Sequence, residues 1–379
     1  MPTSTILRAF SLLMVLFLFA ACSKEVEANF EYNTTEIVQG EAVTFSDISL
    51  GEPTNWEWTF EGGTPETSTE QNPTVVYNEV GEYTVSLKVF NKKKENTKTV
   101  AGAVTVSSFV NYEEQFFTTY TKTENVVYGV NSTEHLMHIY EPDGDDRPER
   151  PFVFIFGGGA FQGSNLAQLE PIAAELTTYG IVVGVARYRS GPNSNQIEAA
   201  TRIIEGQQDT RAAVRFMRAN AATYRVDPNM IIHGGYGTGA FLALLHTYMD
   251  ASEIPQNQQA FVDGLGGWEG DQGNPGYSSQ VQACVSMAGG IYTDRSQIVA
   301  GDPPLFCIHG DNDLDVPYDY EINSGDTTFG PVKLIESCNA ASIYNGLYTI
   351  VGGGHNSPVS AYPDYTPDLM VFLKQVIEQ

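Results

Sequence analysis

Apolar and polar positions alternate through the first third of the chain. Residues 42–45, 56–60, 83–89 and 104–106 place apolar side chains at every second position, with turn residues between the runs at short intervals. A period of two belongs to half-buried strands, and this spacing predicts a small antiparallel sandwich over residues 28–107. Residues 108–123 are polar and aromatic without clear periodicity and read as a linker. The pattern then changes. Residues 153–156, 181–185, 230–233, 283–287, 305–309 and 347–351 are short, mostly apolar runs, as strands buried on both faces require. Helical periods fill the intervals, at 166–179, 196–222 and 242–248 among them. Alternation of this kind predicts, for residues 124–379, a mostly parallel sheet covered by helices on both faces.

The N-terminus changes the picture of compartment. Arg8 precedes an apolar run over residues 9–21, too short to span a bilayer comfortably and ending in small residues before Cys22. This is the pattern of a secretory signal. Residues 1–22 resemble a bacterial lipoprotein signal, although Phe19 stands where leucine is usual. The resemblance implies that Cys22 is lipidated, becomes the mature N-terminus and tethers the protein to a membrane. A plain secretory signal with an incidental cysteine is the other reading. Ser23-Lys24-Glu25 resembles the short acidic tags that send some bacterial lipoproteins to the cell surface. The expected location is the outer membrane, at the cell surface or facing the periplasm.

Charge excludes one class of partner. With 46 acidic against 20 basic residues the net charge is −26, which opposes nucleic acid as a partner because phosphate backbones need a basic surface. Beyond Cys22 three cysteines remain, Cys284, Cys307 and Cys338. An odd number without a close pair makes no disulfide framework, and two of them sit in apolar runs, so free core thiols are expected.

Residues 56–65, with Gln71-Asn72-Pro73-Thr74-Val75, Tyr77 and 81–85, resemble a PKD domain, an immunoglobulin-like sandwich. Such modules are spacers or weak carbohydrate binders. Trp56 and Trp58 therefore carry two readings, core residue or sugar platform.

Three motifs follow predicted strands, where ligands bind in open α/β sheets. Phe156-Gly157-Gly158-Gly159 turns backbone N–H groups toward one point, as an oxyanion hole needs. Gly235-Tyr236-Gly237-Thr238-Gly239 has the place and spacing of Gly-x-Ser-x-Gly, the nucleophile elbow, with glycine where the serine belongs. His309-Gly310-Asp311-Asn312-Asp313 lies where such folds carry an acid, and Gly352-Gly353-Gly354-His355 where they carry a base. Together with Ala186-Arg187-Tyr188-Arg189 and Gln208-Asp209-Thr210-Arg211, these residues make 124–379 similar to the carboxylesterase-like α/β-hydrolases. The resemblance implies a triad at positions 237, 313 and 355. Gly237 would occupy the nucleophile position, Asp313 would be the acid with Asp311 as runner-up, and His355 the base. Gly158, Gly159 and Thr238 would supply the oxyanion N–H groups.

Neither a cofactor nor a metal site is expected. His135 and His138 are spaced to point to opposite sides of a strand. His233 and His246 read as structural, and residues 264–279 as a lid over the site or a plain surface loop. Two functions remain open: an esterase acting on small or glycan-borne acyl esters, slow or inactive without its serine, and a pseudo-hydrolase that binds a carbohydrate or other ligand or serves as a scaffold.

Overall fold

The computed structural model describes residues 25–107, 111–292, 297–323 and 326–379. Residues 1–22, read as a lipoprotein signal, and Cys22 with them lie outside the described residues. Among those described, no helix is long and apolar enough to cross a membrane. The chain divides into two compact units between residues 109 and 110.

In the first unit the alternating runs become two sheets. One contains Phe30–Tyr32, Ala42–Asp47, Thr74–Tyr77 and Gly63–Thr64, and the other is built around Gly81–Phe90, Asn55–Phe60 and Glu95–Ser107. The inward positions of both sheets share one core around Phe30, Phe45, Trp58 and Phe60. Trp58 is only 1% exposed, while Trp56 is half-buried against the same core with its Nε1–H donated to Asp47 Oδ2 at 2.8 Å. Of the two readings of these tryptophans, the core position is the one observed.

The second unit holds an eight-stranded sheet, with strands numbered within it. They are β1 (Tyr120–Val127), β2 (Leu136–Pro142), β3 (Arg150–Phe156), β4 (Val182–Ala186), β5 (Val226–Tyr236), β6 (Cys284–Met287), β7 (Leu305–Gly310) and β8 (Asn345–Ile350). Their spatial order is β1-β2-β4-β3-β5-β6-β7-β8. β1 and β2 are antiparallel to their neighbours, and from β4 onward the pairs are parallel. Alternate side chains of β3 go to opposite faces, as the strand period demands. Phe152, Phe154 and Phe156 join the face covered by α2 (Gln196–Ala219), α3 (Thr238–Tyr248) and α4 (Pro331–Ala340). Val153 and Ile155 join the face covered by α1 (Glu170–Thr178) and α5 (Thr366–Ile377).

The structure departs from the sequence reading at the linker. Residues 120–123 belong to β1 and pair with residues 139–142 of β2. Ahead of them Tyr112 and Phe117 are buried at 8% and 7% exposure in the core of the second unit. The five aromatics of residues 108–123 follow no period, so the pattern did not show which of them are buried. Cys284, Cys307 and Cys338 are free and buried, as read.

Candidate active site

Gly237 sits alone between the end of β5 and the start of α3, with φ +54° and ψ −116°. Its N–H donates to Met287 O at 2.9 Å and its carbonyl accepts from Phe241 N at 2.9 Å, so the turn is fixed at both ends. The flanking glycines are sterically required. A Cβ on Gly235 would lie 2.2 Å from the carbonyl carbon of Gly239, and one on Gly239 would lie 2.1 Å from Phe156 O. Position 237 is different. A Cβ there would stand 3.1 Å from His355 Nε2, a contact that a small shift of the imidazole relieves. The elbow is thus intact in every respect except the side chain that would attack.

Asp313 and His355 come together as read. The Nδ1–H of His355 donates to Asp313 Oδ2 at 2.9 Å, which leaves the Nε2 lone pair directed toward Gly237. Asp313 Oδ1 accepts from the N–H groups of Asp315 at 2.8 Å and Val316 at 3.0 Å. His309 Nε2 lies 3.2 Å from Asp313 Oδ2 and 3.1 Å from Val316 O. Burial works against the Asp313 charge, but the hydrogen bonds from His309, His355, Val316 and Asp315 outweigh it and hold the carboxyl well below the usual range. For His355 the hydrogen bond to Asp313 raises the pKa above the ordinary value, against burial, with the charges of Asp313 and Asp315 adding to the rise. Asp311, the runner-up, instead accepts from Gly352 N at 2.6 Å and braces the histidine loop.

The oxyanion loop is held in an unusual conformation. Gly159, Ala160 and Phe161 all have positive φ, at +125°, +49° and +61°. Three bonds fix it: Ala160 N to Thr238 Oγ1 at 2.9 Å, Asn193 Nδ2 to Ala160 O at 2.8 Å, and Gly191 N to Phe161 O at 2.8 Å. Among the described residues no acceptor takes the N–H of Gly158 or Gly159. Thr238 opens α3, where N–H groups lack partners within the helix. Its hydroxyl accepts from Ala160 N, and among the described residues no hydrogen bond joins it to His355, so no base activates it as a substitute nucleophile. Tyr236 is none either, since its hydroxyl donates to Asn356 Oδ1 at 2.5 Å.

Gly158, Gly159, Gly237, Thr238 and His355 all line one cavity of about 650 Å³. Its wall also carries Asn165, Gln168, Asn193 and Asn356, with Phe161 and Phe241. The sequence reading missed these, because single amides in loops form no pattern. Asp313, Asp315 and His355 are the one group of three metal-ligating side chains among the described residues, their ligand atoms within 4.8 Å of one another. His355 Nδ1 and both carboxylate oxygens of Asp313 are engaged in hydrogen bonds, the geometry of an acid–base pair.

Residues 264–279 do not close over this cavity. Glu269 pairs with Arg211 at 3.2 Å and Arg215 at 3.1 Å, and Gln208 Nε2 donates to the carbonyls of Leu265 and Gly267, which pins the loop to α2. His135 lies in the turn before β2 and not on the strand, fully buried with Nε2 3.0 Å from Asp209 Oδ1. His138, on β2, accepts from Asn125 N at 3.1 Å.

Sheet order, the glycine turn at 235–239, the Asp313–His355 pair and the glycine loop at 157–159 together define an α/β-hydrolase fold. Residues 137–291 match the BD-FAE family model, and residues 27–104 match the PKD domain model. The second unit is thus similar to esterase-family α/β-hydrolases over residues 137–291, and the first to PKD domains over residues 27–104. A truncated form of a carbohydrate esterase from gut microbiota shares the fold, with TM-score 0.53 and 22% identity over 70% of this chain and 99% of that one. Esterase LipC of Mycobacterium tuberculosis is 24% identical over 220 residues, 52% of this chain and 53% of that protein, so the chain spans about half of its length. The large ribosomal subunit protein uL1 of Leptothrix cholodnii is 24% identical over 197 residues, 48% of this chain and 76% of that protein.

Proposed function

We propose that the chain is a lipid-anchored surface protein that binds small or glycan-borne acyl esters in the cavity at Gly237 and forms no acyl-enzyme. The observation that carries this is the side-chain-free residue at the elbow, facing a base and an acid that are both in working geometry. An acyl-serine route needs an oxygen at that position, and no neighbouring hydroxyl takes its place. The wall supports an ester ligand with polar groups around it: four amides supply donors and acceptors, and Phe161 and Phe241 supply apolar surface. The lipid anchor rests on Cys22 after its apolar run and small residues.

The test compares wild type with Gly237→Ser on p-nitrophenyl acetate and on a fluorophosphonate label. Wild type is expected to stay unlabelled. The serine form is expected to be labelled and to gain roughly a hundredfold or more in rate, since loss of a triad serine costs several orders of magnitude elsewhere. Restoring a side chain at φ +54° costs about 1–3 kcal/mol, so the gain comes with a lower melting temperature. Rapid labelling of wild type would refute this account of the elbow. Palmitate incorporation that persists in Cys22→Ala would remove the anchor from it.

A further inference from the structure

The base is aimed at a point in space that only glycine leaves open. An ideal Cβ on Gly237 falls 3.1 Å from His355 Nε2 and 3.8 Å from Gly158 Cα. Any other residue would fill that point with carbon. A water oxygen on the open side of that point, at van der Waals distance from Gly237 Cα, comes within hydrogen-bond reach of the unprotonated nitrogen and borders the oxyanion loop. Both belong to the same cavity of about 650 Å³, which has room for an ester and a water together.

We propose that the domain is a single-displacement ester hydrolase in which water, positioned beside Gly237 by His355, attacks the acyl carbon directly. This rests on the ester-binding reading above and adds a route to it. The water oxygen forms the new C–O bond while one of its protons passes to His355 Nε2. The carbonyl π pair moves onto the oxygen faced by the N–H groups of Gly158, Gly159 and Thr238. Asp313, bonded to Nδ1, stabilises the imidazolium. When the intermediate collapses, the bond to the alcohol oxygen breaks and the proton on Nε2 goes to that leaving oxygen. The products are a carboxylic acid and an alcohol, and His355 returns neutral. At no stage is the acyl group attached to protein. On this account Gly237 is not a lost serine but the residue that makes space for the nucleophile.

The full-length protein, Gly237→Ala and His355→Gln are compared on a series of acetate esters with different leaving alcohols, beginning with p-nitrophenyl acetate. Wild type is expected to turn over slowly above buffer, without a burst and without an acetyl adduct in the intact mass spectrum. Its kcat is expected to follow the leaving alcohol, because no common acyl-enzyme sets the rate. Gly237→Ala, whose methyl would reach to 3.1 Å from His355 Nε2 and crowd the water out, and His355→Gln, which removes the base, are each expected to lose roughly a hundredfold of the catalysed rate. Alanine at this φ is strained, so thermal melts accompany the kinetics, and His355→Gln gives an arm free of that strain. A burst, an adduct, or a folded variant that keeps the wild-type rate would overturn the proposal. Equilibrium binding of the ketone isostere, in which a methylene replaces the bridging ester oxygen, separates the two readings. Binding with a wild-type rate equal to buffer sinks the single-displacement route alone, and absence of binding sinks the ester site with it.

Discussion

His355 and Asp313 share a proton between two groups that the site has moved in opposite directions. The carboxyl is held low, against burial, by hydrogen bonds from His309, His355 and two backbone N–H groups, and the imidazole is held high by its bond to Asp313. The carboxyl's contribution to stability is present above its ordinary pKa and is lost as pH falls through the depressed folded value. The imidazole's contribution is complete below the ordinary histidine value and is lost as pH rises through the raised one. General-base chemistry needs neutral His355, so any hydrolysis by this site should rise with pH above about 6.5, the usual histidine value. Asp313→Asn removes the largest raising influence on the imidazole. Its NMR titration midpoint should therefore move to lower pH, read from the ring proton that His355→Gln deletes from the spectrum. A midpoint unchanged in Asp313→Asn would mean that the carboxylate does not control the base.

Elements, more than single residues, decide how strictly the elbow is built. Because a Cβ at position 239 would lie 2.1 Å from Phe156 O and 2.8 Å from Gly157 O, α3 can approach β3 only through glycine. Gly239→Ala should therefore lower the melting temperature by roughly 5–10 °C, as an overpacked core site costing up to about 3 kcal/mol would. An unchanged melt would show that the helix can retreat from the strand. The same reasoning explains what was legible in the sequence. Buried parallel strands must be apolar throughout, and an elbow must carry glycines at fixed spacing, so 153–156, 235–239 and the loops to Asp313 and His355 stood out. Bonds such as Thr238 Oγ1 to Ala160 N and Asp209 to both His135 and Arg189 join residues far apart in the chain, without spacing or period. Tyr112 and Phe117 likewise anchor their segment without any period among the aromatics around them. The hairpin of Tyr320–Asn323 and Asp326–Phe329 was equally hidden, its strands being four residues each with mixed polarity.

On the scale of the whole molecule, the question is where the second unit begins. A boundary at residue 124, drawn from periodicity, would discard the first half of β1 and both buried aromatics. Burying Tyr112 and Phe117 contributes roughly 1.5–3 kcal/mol each by removal of apolar surface from water. The backbone adds to this, since the N–H groups of Phe116 and Phe117 both donate to Thr178 O at the end of α1 at 2.9 Å. Lys122, whose Nζ lies 2.9 Å from Glu170 Oε1, ties the same segment to the start of α1. Without residues 120–123 the outer edge of β2 over 139–142 loses its partner, leaving open N–H and C=O groups in a position that favours aggregation. Two fragments test this. Residues 111–379 should unfold as one cooperative unit, whereas residues 124–379 should melt on the order of 10 °C lower or fail to stay soluble. Equal melting temperatures for the two fragments would restore the linker reading of 108–123 and make the packing of Tyr112 and Phe117 incidental to the stability of the domain.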